Sequence, residues 1–495
     1  MGNSSQLVTV LPTAIAGIGG MILAMSQRGG EKRHAFFAGI WLILALLFLI
    51  INQNYFVALQ GSSNSILGVG FLSDPFTWFF SILILAGTIV TVVLSYGQLE
   101  ILGIKATPEF YGLLLMTTAS AIVLVGAGEM TTLFVGLEAL SIGLYCLCGS
   151  ATNSRRSVES ALKYFILGSF SSAFLLYGMA IIYGTTGTLS LSEISSKLPE
   201  SSHLVASVGI GLTLIGVYFK LGAVPFHFWT PDVYQGAPAP VTAYMASVVK
   251  MSALAVAIRI LWTTFGNPVL FSWWIGFAWT VSALTMIVGN VVAVRQRNVK
   301  RMLAYSSMAH VGYMTAALIA PSNQFGGGTA LLYYIVIYSV VTIGTFAVTM
   351  IVTGDRTDNP EADDISLFTG LSYNHPRLAA IMTLFLLTLA GLPPGIVGLV
   401  GKFYLLSSIV QKGFIGLSII AGLCSVISCF YYLRVIVAMY FQTPATELNL
   451  NKPVSFSIKM VIVSMAMISL LIGIFPNYLY SRVAVVLNSV IPEAP

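Results

Sequence analysis

Apolar stretches follow one another along the chain from Val8 to Asn477, with only short polar breaks between them. A helix that crosses a bilayer needs about 20 mostly apolar residues. A sliding hydropathy window places about fourteen such spans, centred near Ala16, Leu44, Leu85, Thr118, Leu140, Leu175, Leu212, Leu254, Ala283, Thr315, Val341, Thr388, Ser425 and Met467. The pattern predicts an all-α polytopic membrane protein whose single membrane domain occupies residues 1–495.

Two spans carry interruptions that ordinary helices avoid. The seventh reads VYFKLGAVPFHFWTPD, with Pro225 soon after Lys220, and the twelfth reads LAGLPPGIVGLVGKFY, with Pro393 and Pro394 ahead of Lys402. Proline removes an intrahelical hydrogen bond and clashes with the preceding turn. In lipid, the freed backbone groups are tolerated only where protein or water satisfies them. One Gly/Pro-interrupted segment in each half points to a transporter of paired repeats with a site near the midplane. The breaks are five spans apart, and an odd offset inverts the second copy. The expected organisation is three N-terminal helices (1–100), a first five-helix repeat (108–262), a second (272–438) and a C-terminal helix (439–495).

Composition agrees: 57% of residues are hydrophobic, only 8% are charged and the mean hydropathy is +0.90, whereas a soluble domain carries roughly 25% charged residues. The net charge of +6 forms no solvated basic arm, so nucleic acid is not the expected partner; the lipid bilayer is. The odd-numbered connections hold Arg28, Lys32, Arg33, Lys105, Arg155, Arg156, Arg295, Arg297, Lys300, Arg301, Arg356, Arg377, Lys452 and Lys459, while the even ones and the C-terminus hold only Lys197, Lys412 and Arg482. The positive-inside rule makes the odd loops cytoplasmic and both termini periplasmic, and the first span reads as a retained helix rather than a signal peptide. The stretch Val352 to Arg377, with Asp355, Asp358, Glu361, Asp363 and Asp364, reads as a solvated or partner-facing loop.

Cys146, Cys148, Cys424 and Cys429 lie in apolar stretches. Positions two apart on a helix point about 200° from each other, so Cys146 and Cys148 do not chelate one metal from a regular helix, and all four read as small buried hydrophobes. The sequence shows no CxxC, haem pair, GxGxxG or P-loop. Redox and nucleotide chemistry are expected on other chains.

Few ionisable groups fall within spans: Glu138, Lys163 near a span start, Lys220, Lys250, His310 and Lys402. Each lysine at a helix centre costs about 2.5 to 3.5 kcal/mol on insertion scales, so a set of them calls for a function. A lysine in a low-dielectric interior gives up its proton more readily than in water, and a nearby carboxylate opposes this, so such a pair can exchange protons as hydration changes. Histidine titrates near physiological pH and relays through two ring nitrogens, which suits His310 in YSSMAHVGY and His227 beside the first break; His227 could equally cap broken-helix carbonyls. Tyr305, Ser306 and Ser307 could order water. Structural ion pairing is the competing reading for the carboxylate and the amines, and snorkelling for Lys163. Arg259 and Arg434, near span ends, read as interfacial anchors or partner contacts.

The segment KLGAVPFHFWTPDVYQGAPAP from Lys220 to Pro240 closely resembles the signature of the antiporter-like membrane subunits shared by respiratory complex I and Mrp-type sodium/proton antiporters. VGLEALSI around Glu138, ESALKYFILGSFSSAFLLYG around Lys163, the segment to Lys250, NVKRMLAYSSMAHVGY through His310 and GLVGKFYLL around Lys402 match as well. Within the group the chain is similar to the N-type subunits: it ends after the fourteenth span, without the long lateral helix of the L-type, and has Lys402 where the M-type has a glutamate on a neighbouring helix. The resemblance implies proton translocation in a bacterial inner-membrane NADH:quinone oxidoreductase. Glu138 and Lys220 would form one charged pair, Lys250 a connecting site and Lys402 an exit-half site. It implies no cofactor in this chain, with NADH, FMN, iron–sulfur clusters and quinone on partner subunits, and M-type and small K-type subunits as neighbours. Two positions depart from the pattern: Thr13 follows Leu11 and Pro12 where relatives often carry an acid, and Pro394 doubles the proline at the second break. An Mrp-type cation/proton antiporter subunit and a non-transporting scaffold are the competing functions.

Overall fold

The structure is a computed structural model that describes residues 3–26, 30–54, 70–96, 99, 107–320, 327–354, 363–443 and 455–488. The loop residues Arg28, Lys105, Asp355, Arg356, Asp358, Glu361 and Lys452 lie outside the described residues. Among those described the chain is helical, with no β-pairing beyond the isolated bridges Phe71 with Ala127, Glu129 with Ser190 and Asn298 with Asp364. Every predicted span centre falls on a helix. Among the described residues, eleven helices are long and apolar enough to cross a membrane unaided. The other centres fall short for physical reasons. Thr9–Ala24 is a shorter apolar segment, the span around Thr388 is split into Pro376–Ala390 and Ile396–Gln411, and Val299–Leu318 opens on Lys300, Arg301, Tyr305, Ser306 and Ser307.

The helix ends follow local chemistry. Asp74 caps Pro75–Ser95 by accepting from the Thr77 amide at 2.7 Å, and Asn298 caps Val299–Leu318 through the Arg301 amide at 2.9 Å; both side chains satisfy an orphan donor of the first turn. Both broken spans stop at a left-handed glycine, Gly222 (φ 73°) after His203–Leu221 and Gly391 (φ 80°) after Pro376–Ala390, a conformation that glycine adopts without a Cβ clash. The chain resumes at Trp229–Gly236 and Ile396–Gln411 respectively.

Burial sorts the helices. Ala239–Thr264 is buried along its whole length and Gly327–Thr353 almost so, whereas Arg155–Thr186, Ile415–Phe441 and Phe456–Ile474 bury only a third of their apolar stretch. Their outward faces carry Phe165, Phe170, Val426 and Phe430, an apolar exterior suited to lipid or neighbouring membrane chains. Ala239–Thr264 contains two π-helical segments, Met245–Val249 and Arg259–Thr264, on either side of a regular stretch that begins at Lys250.

Three expectations change here. Arg259 is buried and pairs with Asp74 rather than anchoring at an interface. Arg434 donates to the carbonyls of Val294 and Gln296, capping the end of Pro268–Arg295 from within. Of the acidic loop, Asp363 is buried 3.5 Å from Lys300, and Asp364 accepts from the Ser366 amide, so this part folds onto the base of the His310 helix. All four cysteines are free; Cys148 and Cys424 are buried, while Cys146 lies on an outward face.

Candidate functional site

At the first break, Lys220 sits one residue before the helix end, buried, and donates to Ser141 Oγ at 2.8 Å and to the Tyr164 hydroxyl at 3.0 Å, with the Tyr164 ring 5.4 Å beneath its ammonium. Pro225 has no N–H for the Leu221 carbonyl, so the helix cannot run on. The Phe219 carbonyl accepts from the Gly222 amide and from Trp229 Nε1 at 3.0 Å. Trp229 in turn stacks on Tyr164, with centroids 4.5 Å apart. Glu138, half-buried on Met130–Cys148, accepts from Ser172. Ser141 stands three residues from Glu138 on the same helix and donates to the Leu137 carbonyl at 2.6 Å, so the carboxylate and Lys220 have separate serine partners. His227 is half-buried with its ring against Phe228, and its Nδ1 has no hydrogen-bond partner among the described residues.

Lys163 lies apart from this centre. Its side chain is 44% exposed and bridges Glu159 and Asp232, both at 2.8 Å. Asp232 also receives Arg301 at 2.7 Å. With Arg156, Gln235 and Gly236 these residues line an open vestibule of about 190 Å³, where the first half of the chain meets the second. Two residues beyond Asp232, the Tyr234 ring lies 5.6 Å under the ammonium of Lys250.

Lys250 is buried and donates to Ser307, which also accepts from the Tyr338 hydroxyl at 2.7 Å. One turn further along that helix, His310 is held from both sides, Nδ1 by the Tyr334 hydroxyl at 2.8 Å and Nε2 by the Tyr432 hydroxyl at 3.1 Å. Ser306 shares the Tyr432 hydroxyl; Tyr305 is half-buried and packs against the core.

Lys402 lies beyond the second break. Pro393 and Pro394 remove two successive amide donors, and the Ala390 carbonyl accepts from Lys402 Nζ at 2.9 Å instead. Ser425 and Ser428 stand 3.3 and 3.5 Å from the same nitrogen, and the Tyr313 ring lies 5.4 Å beneath it. A small cavity of about 10 Å³ between Lys402, Tyr313 and Ser425 has room for one water at most. The two halves of the span touch closely: a Cβ on Gly398 would fall 1.8 Å from the Thr388 carbonyl oxygen.

The fold thus gathers Lys220, Lys250, His310 and Lys402 into one buried row, puts Glu138 at its edge on the helix that carries Ser141, and leaves Lys163 in the vestibule. Tyr164, Trp229, Tyr234 and Tyr313 supply the ring contacts between successive stations, as in the 6.3 Å approach of Trp229 to Tyr234 and the 6.1 Å approach of His310 to Tyr313. Sequence reading passed over Asp232, Ser141, Ser172 and these aromatics. Ser141 was visible three positions after Glu138, and Tyr334 and Tyr338 share one helix face by their spacing of four. Nothing in the sequence tells which of 22 tyrosines faces the row.

An apolar all-helical chain with two interrupted spans and a buried row of amines between them is a membrane protein of the ion-translocating kind. The family model described as NADH:quinone oxidoreductase/Mrp antiporter, TM, matches residues 127–428, and the chain belongs to that family. It is 41% identical over 415 residues to NADH-quinone oxidoreductase subunit N 1 of Sorangium cellulosum, covering 82% of this chain and 81% of that one. It is 39% identical over 481 residues to NADH-quinone oxidoreductase subunit N of Trichlorobacter lovleyi, covering 95% of each. Among solved structures it is similar to a chain of respiratory complex I from Thermus thermophilus with bound aureothin, at 30% identity and a TM-score of 0.79 over 96% of this chain and 98% of that one. A chain of the Mrp complex from Dietzia shares the fold alone, at 17% identity and a TM-score of 0.84 over 99% of this chain and 97% of that one.

Proposed function

We propose that this chain is a proton-translocating membrane subunit of an NADH:quinone oxidoreductase of the complex I type, and that it moves protons through Lys220, Lys250, His310 and Lys402 while the redox reaction runs on neighbouring chains. One observation carries the reading. Among the described residues, Lys220, Lys250 and Lys402 are buried with hydroxyls, a carbonyl and aromatic rings as partners and with no carboxylate at ion-pair distance. Lys163, Arg259, Lys300 and Arg301, by contrast, each hold one. A structural cation in a low-dielectric interior needs its counter-charge; an amine with hydroxyl partners can exist in either protonation state without leaving a carboxylate stranded.

The hydrogen bonds give the row its chemistry. A hydroxyl accepts a proton on one lone pair as it donates another, so Ser307, which here accepts from both Lys250 and Tyr338, can pass a proton from the amine once the tyrosine hydroxyl turns to accept, and Tyr164 can take one from Lys220. His310, bonded at both nitrogens, accepts on one and releases on the other. Asp232 and Glu159 in the vestibule offer a charged mouth for proton uptake, with Tyr234 leading inward to Lys250. In this reading the two breaks belong to two inverted repeats, 108–262 and 272–438. The vestibule side is cytoplasmic, both termini are periplasmic, and the chain sits in a bacterial inner membrane. M-type and small K-type subunits flank it, and partner subunits carry NADH, FMN, iron–sulfur clusters and quinone.

The test uses inverted vesicles that carry the whole complex, with assembly checked on native gels. Lys250→Ala is expected to leave NADH oxidation measurable and to depress proton uptake per NADH. Wild-type proton yield from an assembled Lys250→Ala complex would remove the central station and with it the row. A stand-alone antiporter would show cation/proton exchange without NADH.

A further inference from the structure

We infer that Arg259 and Asp74 form a proton seal that insulates Lys250 from the membrane face at the far end of its own helix. This rests on the proton-transfer reading of Lys250 proposed above. Arg259 follows Lys250 by nine residues, about 13 Å along a helix axis, and opens the second π-helical segment. It is buried and spends its donors on two other segments. Nη1 and Nη2 reach the two Asp74 oxygens at 2.9 and 3.1 Å, Nη2 also reaches Thr77 Oγ1 at 3.0 Å, and Nε reaches the Val125 carbonyl at 3.0 Å. The Phe76 ring lies 5.0 Å from the guanidinium. Pro75–Ser95, Pro108–Val125 and Ala239–Thr264 are thereby drawn together around one fixed positive charge.

The position of that charge matters. The Lys250 helix starts on the membrane face of the vestibule and ends on the other, because Pro268–Arg295 returns the chain to the vestibule side before Arg301. Lys250 therefore has a polar approach on one side, through Asp232 and Tyr234, and Arg259 on the other. A guanidinium is not deprotonated in proteins, so it cannot pass a proton on, and a fixed arginine charge in a narrow path repels protons and cations. Asp74 allows that charge to stay buried, since an unpaired one would be expelled or hydrated. Lys250 is left with exchangeable hydroxyls while the arginine on the same helix has four of its five N–H donors engaged, and that contrast separates a station from a stopper. Asp74 lies outside the 127–428 family match, so the three N-terminal helices contribute the counter-charge.

The measurement is passive proton conductance of resting vesicles holding the intact complex, read as decay of an imposed pH difference without NADH. Arg259→Met with Asp74→Asn removes both charges, keeps an N-cap at position 74 and strands neither charge. Resting conductance is expected to rise severalfold, with lower proton yield and near-normal NADH oxidation. Wild-type conductance in the assembled double variant would overturn the seal. Asp74→Asn alone strands the guanidinium, which is then hydrated or expelled, so conductance is expected to rise there too; a tight Asp74→Asn variant would mean that the closure does not need its counter-charge, which overturns the paired seal. Should the double variant not assemble, Arg259→Lys replaces it: a lysine can release its proton, so conductance is expected to climb with pH, and a flat profile overturns the assignment. Because no turnover is involved, normal pumping by Lys250→Ala would defeat the relay without deciding the seal.

Discussion

The two broken helices solve the same backbone problem with different donors. At the first, the Phe219 carbonyl takes the indole N–H of Trp229, and Lys220 is free to bond Ser141 and Tyr164. At the second, the doubled proline leaves the Ala390 carbonyl to Lys402 itself. The cap and the titratable group are separate residues in one half and the same residue in the other. A change of protonation at Lys220 therefore alters a hydroxyl cluster near Glu138, whereas one at Lys402 also alters the end of Pro376–Ala390. The second break can respond mechanically to its proton; the first responds electrostatically.

The largest expected effect removes the amine that has no capping duty. Lys220→Ala is predicted to slow proton transfer roughly a hundredfold, within the range attributed to a positioned acid–base group, with the complex assembled because Trp229 still caps the break. Glu138→Ala should depress pumping less, since its carboxylate is bonded to Ser172 and not to Lys220. Proton uptake and NADH oxidation in vesicles check both, and normal yields in assembled variants would take the first half out of the pathway.

Lys402→Arg comes next. Arginine keeps the charge and can still donate to the Ala390 carbonyl, but it holds its proton far more tightly than lysine. Assembly is predicted to be normal and pumping to fall clearly, though less than in Lys220→Ala. Full pumping by this variant would make Lys402 a capping cation only, and the contrast between the two breaks would collapse.

Trp229→Phe isolates the cap of the first break. The Phe219 carbonyl loses its indole partner but keeps the Gly222 amide, so the expected loss is about 1 kcal/mol of stability, seen as earlier thermal inactivation, with proton yield per NADH largely kept. A collapse of the yield at unchanged stability would show that Trp229 carries more than the carbonyl, for instance through its stack on Tyr164.

Much of this was legible before the structure. The span centres, both breaks and the buried amines follow from hydropathy, proline chemistry and the cost of charge in lipid, because each is a local property of the sequence. What escaped is relational. Arg259 looks like an end-of-span anchor until Asp74, 185 positions away, is brought beside it. Lys163 looks like a member of the row until Glu159 and Asp232 are seen to hold it in the vestibule. Pro394 looked like an irregularity at the second break, and its consequence, an orphaned carbonyl within reach of an amine twelve residues on, depends on how the two halves fold back at Gly391.

The smallest effect concerns the serines around Lys402. Ser425 and Ser428 stand 3.3 and 3.5 Å from Nζ, at or beyond the ordinary hydrogen-bond range, while the Ala390 carbonyl is at 2.9 Å; interactions weaken steeply over that interval. Ser428 also donates back to the Ser425 carbonyl at 2.6 Å, so its hydroxyl proton is already engaged within its own helix. Replacing both with alanine therefore costs at most about 0.5 kcal/mol of interaction with the amine, and pumping should stay within about twofold of wild type by the same arithmetic. If instead the double alanine variant pumped as poorly as Lys402→Arg, the serines rather than the break would set the lysine's proton affinity. The second break would then be a passive consequence of Pro393 and Pro394, and the two halves would both work through hydroxyl clusters.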